Sequence, residues 1–293
     1  MFDRAYCNTP LCAPSRADMM TGTLPSELGC YDNGDDFPAS MPTFAHHLRA
    51  AGYHTALIGR MHFIGPDQHH GFEQRLTTDV YPADLDMVPE WNRPLDQRLQ
   101  WYHDVDPVIT AGPLHATVQQ YLDDVEIPDP EFPDPPSPEA DPYTPLNDDE
   151  WLRPALSSRV PLIITGPDHL VPKGRFANPV SLIDLLPTIV ELADAPNAAT
   201  AGTSLLEIAR EEQNGQMGPQ DRDVFVEYLA EGTHAPQITL VRGQDKYNVC
   251  PGDPDQLFDL ETDPHELHKV ADSQNYREIA QGLRSKLDTH YNF

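Results

Sequence analysis

The chain has 293 residues, 39% of them hydrophobic, enough for one large α/β domain or a large domain with a smaller companion. Nineteen basic residues face 47 acidic ones, and the net charge of −28 repels nucleic acid and anionic membrane surfaces. No apolar run approaches the ~18 residues that cross a bilayer, and the opening MFDRAYCNTPLC lacks the basic and apolar regions of a secretory signal. A soluble cytoplasmic protein is expected. The acidic residues are scattered along the whole chain, with no acidic tail, which points to a salt-adapted cytoplasm. Attraction of a cationic substrate is a secondary reading of the same charge. Cys7, Cys12, Cys30 and Cys250 fit neither a zinc ribbon nor a disulfide framework and read as reduced thiols.

Along the chain, Pro14 to Met20 reads as the first turns of a helix with proline near its start. Cys12 then lies beside a helix N-terminus, where backbone N–H groups favour an anion. Residues 42–51 (PTFAHHLRAA) form an amphipathic helix closed by Gly52. His54 to Ile58 reads as a short buried strand ending at Gly59 and feeding a polar loop, residues 60–68. Helix, glycine, strand and loop make half a βαβ unit. Ligands in open α/β sheets sit at strand carboxyl ends, so this loop is expected in the site. Eight prolines between Ile127 and Pro145, interleaved with Asp and Glu, make residues 123–150 an extended linker. Val160 to Thr165 reads as a buried strand with a turn at Gly166-Pro167. Ser181 to Ala193 reads as a helix kinked or begun near Pro187. A polar stretch, residues 197–220, separates off three short antiparallel strands, 224–228, 237–241 and 246–249. Residues 276–291 form a last helix.

Two motifs carry chemistry. The run Cys12-Ala13-Pro14-Ser15-Arg16, with Thr21-Gly22 four residues on, resembles the modification motif C-x-P-S-R-x(4)-T-G of the sulfatases. The resemblance implies that Cys12 is oxidised to formylglycine by a formylglycine-generating enzyme, and that the hydrated aldehyde attacks sulfur. Sulfate-ester hydrolysis needs a strong nucleophile, positive charge on the sulfuryl oxygens and an acid for the leaving group. Arg16, one helical turn beyond Cys12, brings a planar fork suited to the modified residue or a sulfate oxygen. The second motif, GRMHFIGPDQ at residues 59–68 followed by Gly71-Phe72-Glu73, resembles the family's G-K-x-H loop. His62 falls on the histidine, and Arg60 stands where the family has lysine. His46, His47, His69 and His70 have no such match and read as surface residues.

Further blocks narrow the likeness to choline sulfatases: FDRAYCNTPLCAPSR, the run YDNGDDFPASMPTFAHHLRAAGYHTALIG, RLTTDVYPADLD, Glu227-Tyr228, and DQLFDL at residues 255–260. The implied substrate is a small sulfate ester such as choline sulfate. Its quaternary ammonium would be held by aromatic faces and carboxylates, with Trp91, Trp101, Tyr102, Asp104 and Glu231 as candidates. Met87 stands where the family more often has Trp, and Asp104 where Asn is usual. The implied fold is α/β, an alkaline-phosphatase-like sandwich of a mixed sheet between helices, with a smaller C-terminal α+β domain. The expected division is a catalytic domain over 1–200 and a C-terminal subdomain over 201–293.

The family also binds one divalent cation, usually Ca2+, with the modified cysteine among its ligands. The expected Asp-Asp pair before Cys12, the D-H-G-type pair before the Arg159–Ile163 run and an H-P-H-D-P-type loop are not found. Asp35-Asp36 lies beyond the cysteine and reads as a solvated turn. The chain therefore reads as shortened near its start, near Leu122 and near Pro154, and is expected to be a weak or inactive sulfatase alone. A phosphonate or phosphate monoester hydrolase of the same fold, and a non-catalytic remnant that binds a choline-like cation or a longer partner, are the alternatives. Homo-oligomer formation is compatible with the sequence.

Overall fold

The computed structural model describes residues 1–76, 158–196, 199–229, 235–271 and 273–291, which all belong to one structural unit. Strand β1 (Phe2–Tyr6) lies between β4 (Arg159–Leu162), antiparallel to it, and β5 (Val180–Ser181), parallel to it. Ala5 is the register point, opposite Val160 on one side and Val180 on the other. No strand was expected at Phe2–Tyr6, because Asp3 and Arg4 interrupt the apolar pattern. A β-bulge between Phe2 and Ala5 absorbs them, and Asp3 pairs with the Arg175 guanidinium at 2.7 Å. Phe2 and Ala5 can then face Phe176, Val180 and a helix behind the sheet.

That helix, α5 (Leu205–Gln213), overturns the reading of residues 197–220 as a polar separator. Its polar residues line one face, while Leu205, Leu206, Ile208 and Ala209 are buried on the other. Ser204 caps it, accepting the Leu206 N–H. The expected helix over 181–193 begins as a 3₁₀ turn (Leu182–Asp184) and continues as α4 (Leu185–Leu192). Pro187 falls in its first turn, where a missing N–H costs nothing.

The expected buried strand over 160–165 is corrected. The strand, β4, ends at Leu162 and is the edge of its sheet among the described residues; Arg159 and Pro161 are exposed and Ile163 is 65% exposed. Pro161, with no N–H to donate, suits such an edge. The strand expected over 54–58 shrinks to β2 (Ala56–Leu57), which pairs in parallel with β3 (Gln74–Arg75). His54 is exposed and Ile58 is 72% exposed, so only Thr55 and Leu57 of this run are buried.

Helix α1 (Cys12–Thr21) packs on the segment Leu182–Leu192, on α2 (Pro25–Leu28) and on α3 (Phe44–Ala50). Ala17 and Met20 enter a cluster with Leu28, Cys30, Phe37, Leu57 and Phe63. The helix ends at Gly22, whose φ of 64° is left-handed and whose N–H caps the Asp18 carbonyl. The Gly22 carbonyl accepts the Thr200 hydroxyl at 2.8 Å and the Ala201 N–H at 2.9 Å.

The C-terminal strands β6 (Asp223–Tyr228), β7 (Gln237–Arg242) and β8 (Asp245–Val249) are antiparallel as expected, and β9 (Gln256–Asp259) extends them into a four-stranded meander. Its apolar face, with Ile238, Leu240, Tyr247, Val249 and Leu257, receives Leu283 and Leu287 of helix α6 (Arg277–His290). Buried Asn8 stitches this sheet to the first one. Its Nδ2 donates to the Phe225 carbonyl, its Oδ1 accepts the Ile183 N–H, and its own carbonyl accepts from Glu227.

Candidate functional site

Cys12 opens α1 and is exposed, whereas Cys7 and Cys30 are buried and Cys250 is half-buried. Burial pushes the Cys7 thiol up to about 11 and the Cys250 thiol up to about 12, so neither supplies a thiolate at neutral pH. Leu11 precedes the helix and offers no capping side chain. Asn33 takes that place from a distant loop: its Oδ1 accepts the Ala13 N–H at 3.0 Å. The Asn33 loop is rigid by its own hydrogen bonds. Asp32 Oδ1 accepts the Gly34 and Asp35 amides, and Asp35 Oδ2 accepts the Tyr31 and Asp32 amides. Asp35 is therefore a half-buried organiser, not the solvated residue read from sequence; Asp36 is exposed. Asn33 was missed in the sequence reading. The turn-forming run Asp32-Asn33-Gly34 was visible there, but not its approach to α1 across twenty residues.

Arg16 shares a helix face with Cys12, four residues apart. Its Nη1 donates to the Arg60 carbonyl at 2.8 Å and lies 4.0 Å from the Met61 sulfur. Helix α1 and the second motif are thus joined directly. Arg60 is exposed; His62 is buried and holds φ 55°, a left-handed conformation that a non-glycine residue adopts at a cost of roughly 1–3 kcal/mol. The loop beyond it sustains that conformation. Phe63 and Ile64 are buried, and the Ile64 carbonyl accepts the Phe37 N–H at 3.1 Å. Gln68 Nε2 donates to the Phe63 and Gly65 carbonyls.

His70 is not a surface residue, as the sequence had suggested. It is fully buried, stacked on Phe37 with centroids 3.9 Å apart and edge-on to Phe63. Burial holds its imidazole down to about 4, so it is neutral at pH 7. His46 is half-buried and also engaged: its Nδ1 lies 3.1 Å from the Thr43 N and 3.0 Å from the Thr43 hydroxyl at the start of α3. His47 is half-buried and His69 exposed.

Trp91, Trp101, Tyr102, Asp104 and Glu231 lie outside the described residues, as does the linker over 123–150. Among the described residues no three His, Cys, Asp or Glu side chains converge as ligands for an ion. Of the set expected around a divalent cation, Cys12 alone is in view, so the described residues do not by themselves fit Ca2+.

Two family profiles account for most of the chain: "Sulfatase" over residues 1–123 and "N-sulphoglucosamine sulphohydrolase, C-terminal" over residues 148–292. The choline-sulfatase of Rhizobium meliloti (strain 1021) is 30% identical over 393 positions, covering 93% of this chain and 75% of the relative. The chain has 293 residues, so at least 393 − 293 = 100 of those positions have no residue of this chain opposite them. An N-acetylglucosamine-6-O-sulfatase of Bacteroides thetaiotaomicron is 42% identical over 72 residues, 25% of this chain and 12% of the relative. A solved 2-O GAG sulfatase superposes with a TM-score of 0.62 at 18% identity, over 99% of this chain and 83% of that one. The phosphonate monoester hydrolase of Agrobacterium radiobacter superposes with a TM-score of 0.56 at 16% identity, over 98% and 87%. The fold these structures share is the alkaline-phosphatase-like α/β fold, with a mixed sheet and flanking helices. With both halves matched by sulfatase profiles and three quarters of a choline-sulfatase aligned at 30% identity, the chain belongs to the sulfatase family of sulfuric ester hydrolases.

Proposed function

We propose that this protein hydrolyses a small sulfate ester of the choline sulfate type, through a formylglycine formed at Cys12 by a formylglycine-generating enzyme. The observation that carries the reading is the placement of Cys12: it is exposed at the first turn of α1, with Arg16 tied to the Arg60–His62 loop on the same face. One hydroxyl of the hydrated aldehyde attacks sulfur and the alcohol departs. The second hydroxyl then loses its proton, the aldehyde re-forms and sulfate leaves. Arg16 and Arg60 supply charge to the sulfuryl oxygens, and His62 handles a proton at the ester or sulfate oxygen. Trp91, Trp101, Tyr102, Asp104 and Glu231 are assigned to the ammonium end. In the same reading residues 1–200 form the catalytic domain and 201–293 a C-terminal antiparallel-sheet subdomain with the last helix, in a salt-adapted cytoplasm.

The test is to express the chain with and without a formylglycine-generating enzyme, then follow Cys12 by mass spectrometry and turnover on choline sulfate, an aryl sulfate and a phenylphosphonate. Conversion of Cys12 with fastest turnover of choline sulfate supports the proposal. Conversion with a faster phosphonate reaction would overturn the substrate class. A second reading, a chain that keeps the nucleophile helix but turns over slowly, is favoured by the missing ion ligands among the described residues. It predicts converted Cys12, no calcium uptake in a titration calorimeter and a weak rate.

A further inference from the structure

Asp18 sits six residues beyond Cys12 on α1 and is completely buried. Its Oδ2 accepts the Thr9 hydroxyl at 2.9 Å, and among the described residues no donor reaches its Oδ1. A buried carboxylate without a cation or several donors is very costly, so such a group keeps its proton. We propose that Asp18 is carried in the folded chain as a neutral carboxylic acid and acts as an acid latch, whose ionisation loosens the helix that presents Cys12.

Among the described residues, the groups that act on Asp18 supply no positive charge to stabilise an anion. The ionisable groups facing it are acids: the Cys7 thiol after β1, the Cys30 thiol after α2, and the Glu227 carboxyl on β6. Glu227 already accepts the Ser26 amide and hydroxyl and the Tyr291 hydroxyl. Cations on neighbouring elements are engaged elsewhere. Lys246, which reaches toward Cys7, is paired with Glu266 at 2.9 Å, and Arg222 is paired with Asp184 on the segment packed beside α1. Burial accordingly drives the Asp18 carboxyl well above its ordinary 3.8.

The direction of the pH effect follows. A group whose folded value is raised holds its proton in the folded state after the unfolded chain has lost its own. The stability Asp18 contributes is full below pH 3.8 and falls as pH rises, until the folded group itself titrates. In that window each pH unit favours the opened helix by up to about tenfold. The inference does not depend on the sulfate-ester reading, since it concerns only the seat of α1.

The experiment is amide hydrogen exchange on the full chain from about pH 5 to 9, comparing α1 with α5, in wild type and in Asp18→Asn. The expected result is that the ratio of α1 opening in wild type to that in D18N climbs with pH by up to about tenfold per unit, while α5 shows no such climb. The amide is the closest uncharged stand-in for the acid, so D18N should fold and match or exceed wild-type stability above neutral pH. A pH-independent ratio, an equal climb in both helices, or a D18N chain that does not fold would each overturn the latch.

Discussion

Gly22 closes α1 for two separable reasons, and three glycines let each be measured alone. At Gly22 the backbone is left-handed, φ 64°, and an added Cβ would fall below 3.0 Å from the Thr200 hydroxyl. Gly29 ends α2 with φ 78° and open space around the added carbon. Gly202 carries no left-handed φ, but its added Cβ would meet the Ile183 carbonyl at less than 3.0 Å. Gly29→Ala should therefore cost only the conformational penalty, about 1–2 kcal/mol. Gly22→Ala adds the displacement of Thr200 and loss of its hydrogen bond to the Gly22 carbonyl, about 1 kcal/mol for the bond and 1–3 for the overlap. The expected total is about 3–6 kcal/mol. Gly202→Ala should cost more than Gly29→Ala, and no side-chain change should relieve it, because the Ile183 carbonyl is backbone and cannot move aside as a side chain can. Urea unfolding of the three variants at one pH gives the order directly. A further variant, Thr200→Ala in the G22A background, removes the hydroxyl that clashes and should recover about 1 kcal/mol or more of the loss. Equal destabilisation by G22A and G29A, or no recovery in the double variant, would refute the steric part of the reasoning.

Three other changes have readable outcomes. Arg16→Lys keeps the charge but cannot hold both the Arg60 carbonyl and a sulfate oxygen; kcat/KM should fall by about 10²–10³ with little change in stability, as steady-state kinetics and a melting curve would show. Glu227→Ala strands the Ser26 amide and hydroxyl and the Tyr291 hydroxyl and should cost about 2–4 kcal/mol in urea unfolding, with Glu227→Gln costing less. His70 is held at about 4, below its ordinary 6.5, so its contribution is present above pH 6.5 and is lost as pH falls toward 4. Acid titration of wild type should lose up to about 3 kcal/mol across that window, and His70→Phe should flatten the acid limb.

The parts of the fold legible in sequence are those whose pattern is local. Pro14 and Gly22 bracket α1, Gly52 follows α3, and alternation marks β6, β7 and β8. What was not legible depends on partners far along the chain. Phe2–Tyr6 is a strand because Val160 and Val180 flank it, not because FDRAY alternates. Residues 205–213 look polar by composition, and only the position of the sheet shows that Leu205, Ile208 and Ala209 share a buried face. Histidines divide in the same way. The resemblance marked His62, whereas the burial of His70 between Phe37 and Phe63 follows from how the loop packs. The C-x-P-S-R-x(4)-T-G motif was legible because it is contiguous; Asn33, which completes the helix start, was not.

The C-x-P-S-R-x(4)-T-G run can now be divided by physical role. Pro14 spends no hydrogen bond at a turn that has none to make, and Thr21 returns its hydroxyl to the Ala17 carbonyl at 2.8 Å. Gly22 turns the chain out and docks it on Thr200 and Ala201. These positions seat a helix. Cys12 and Arg16 are the pair left facing outward, and Arg16 is the one that reaches the second motif. The seat is made from both halves of the sequence, with Asn33 at one end of α1 and Thr200 at the other, so a chain with at least 100 positions of its relative unmatched still exposes Cys12 at the helix start. Presentation and turnover are then separate properties. In the proposed reading, conversion of Cys12 would depend on the motif and on its exposure, and the rate on charge gathered around the sulfuryl group, toward which the described residues offer Arg16 and Arg60 but no set of ion ligands. A chain in which Cys12 is converted and yet no sulfate ester turns over would show that the seat alone survives the shortening.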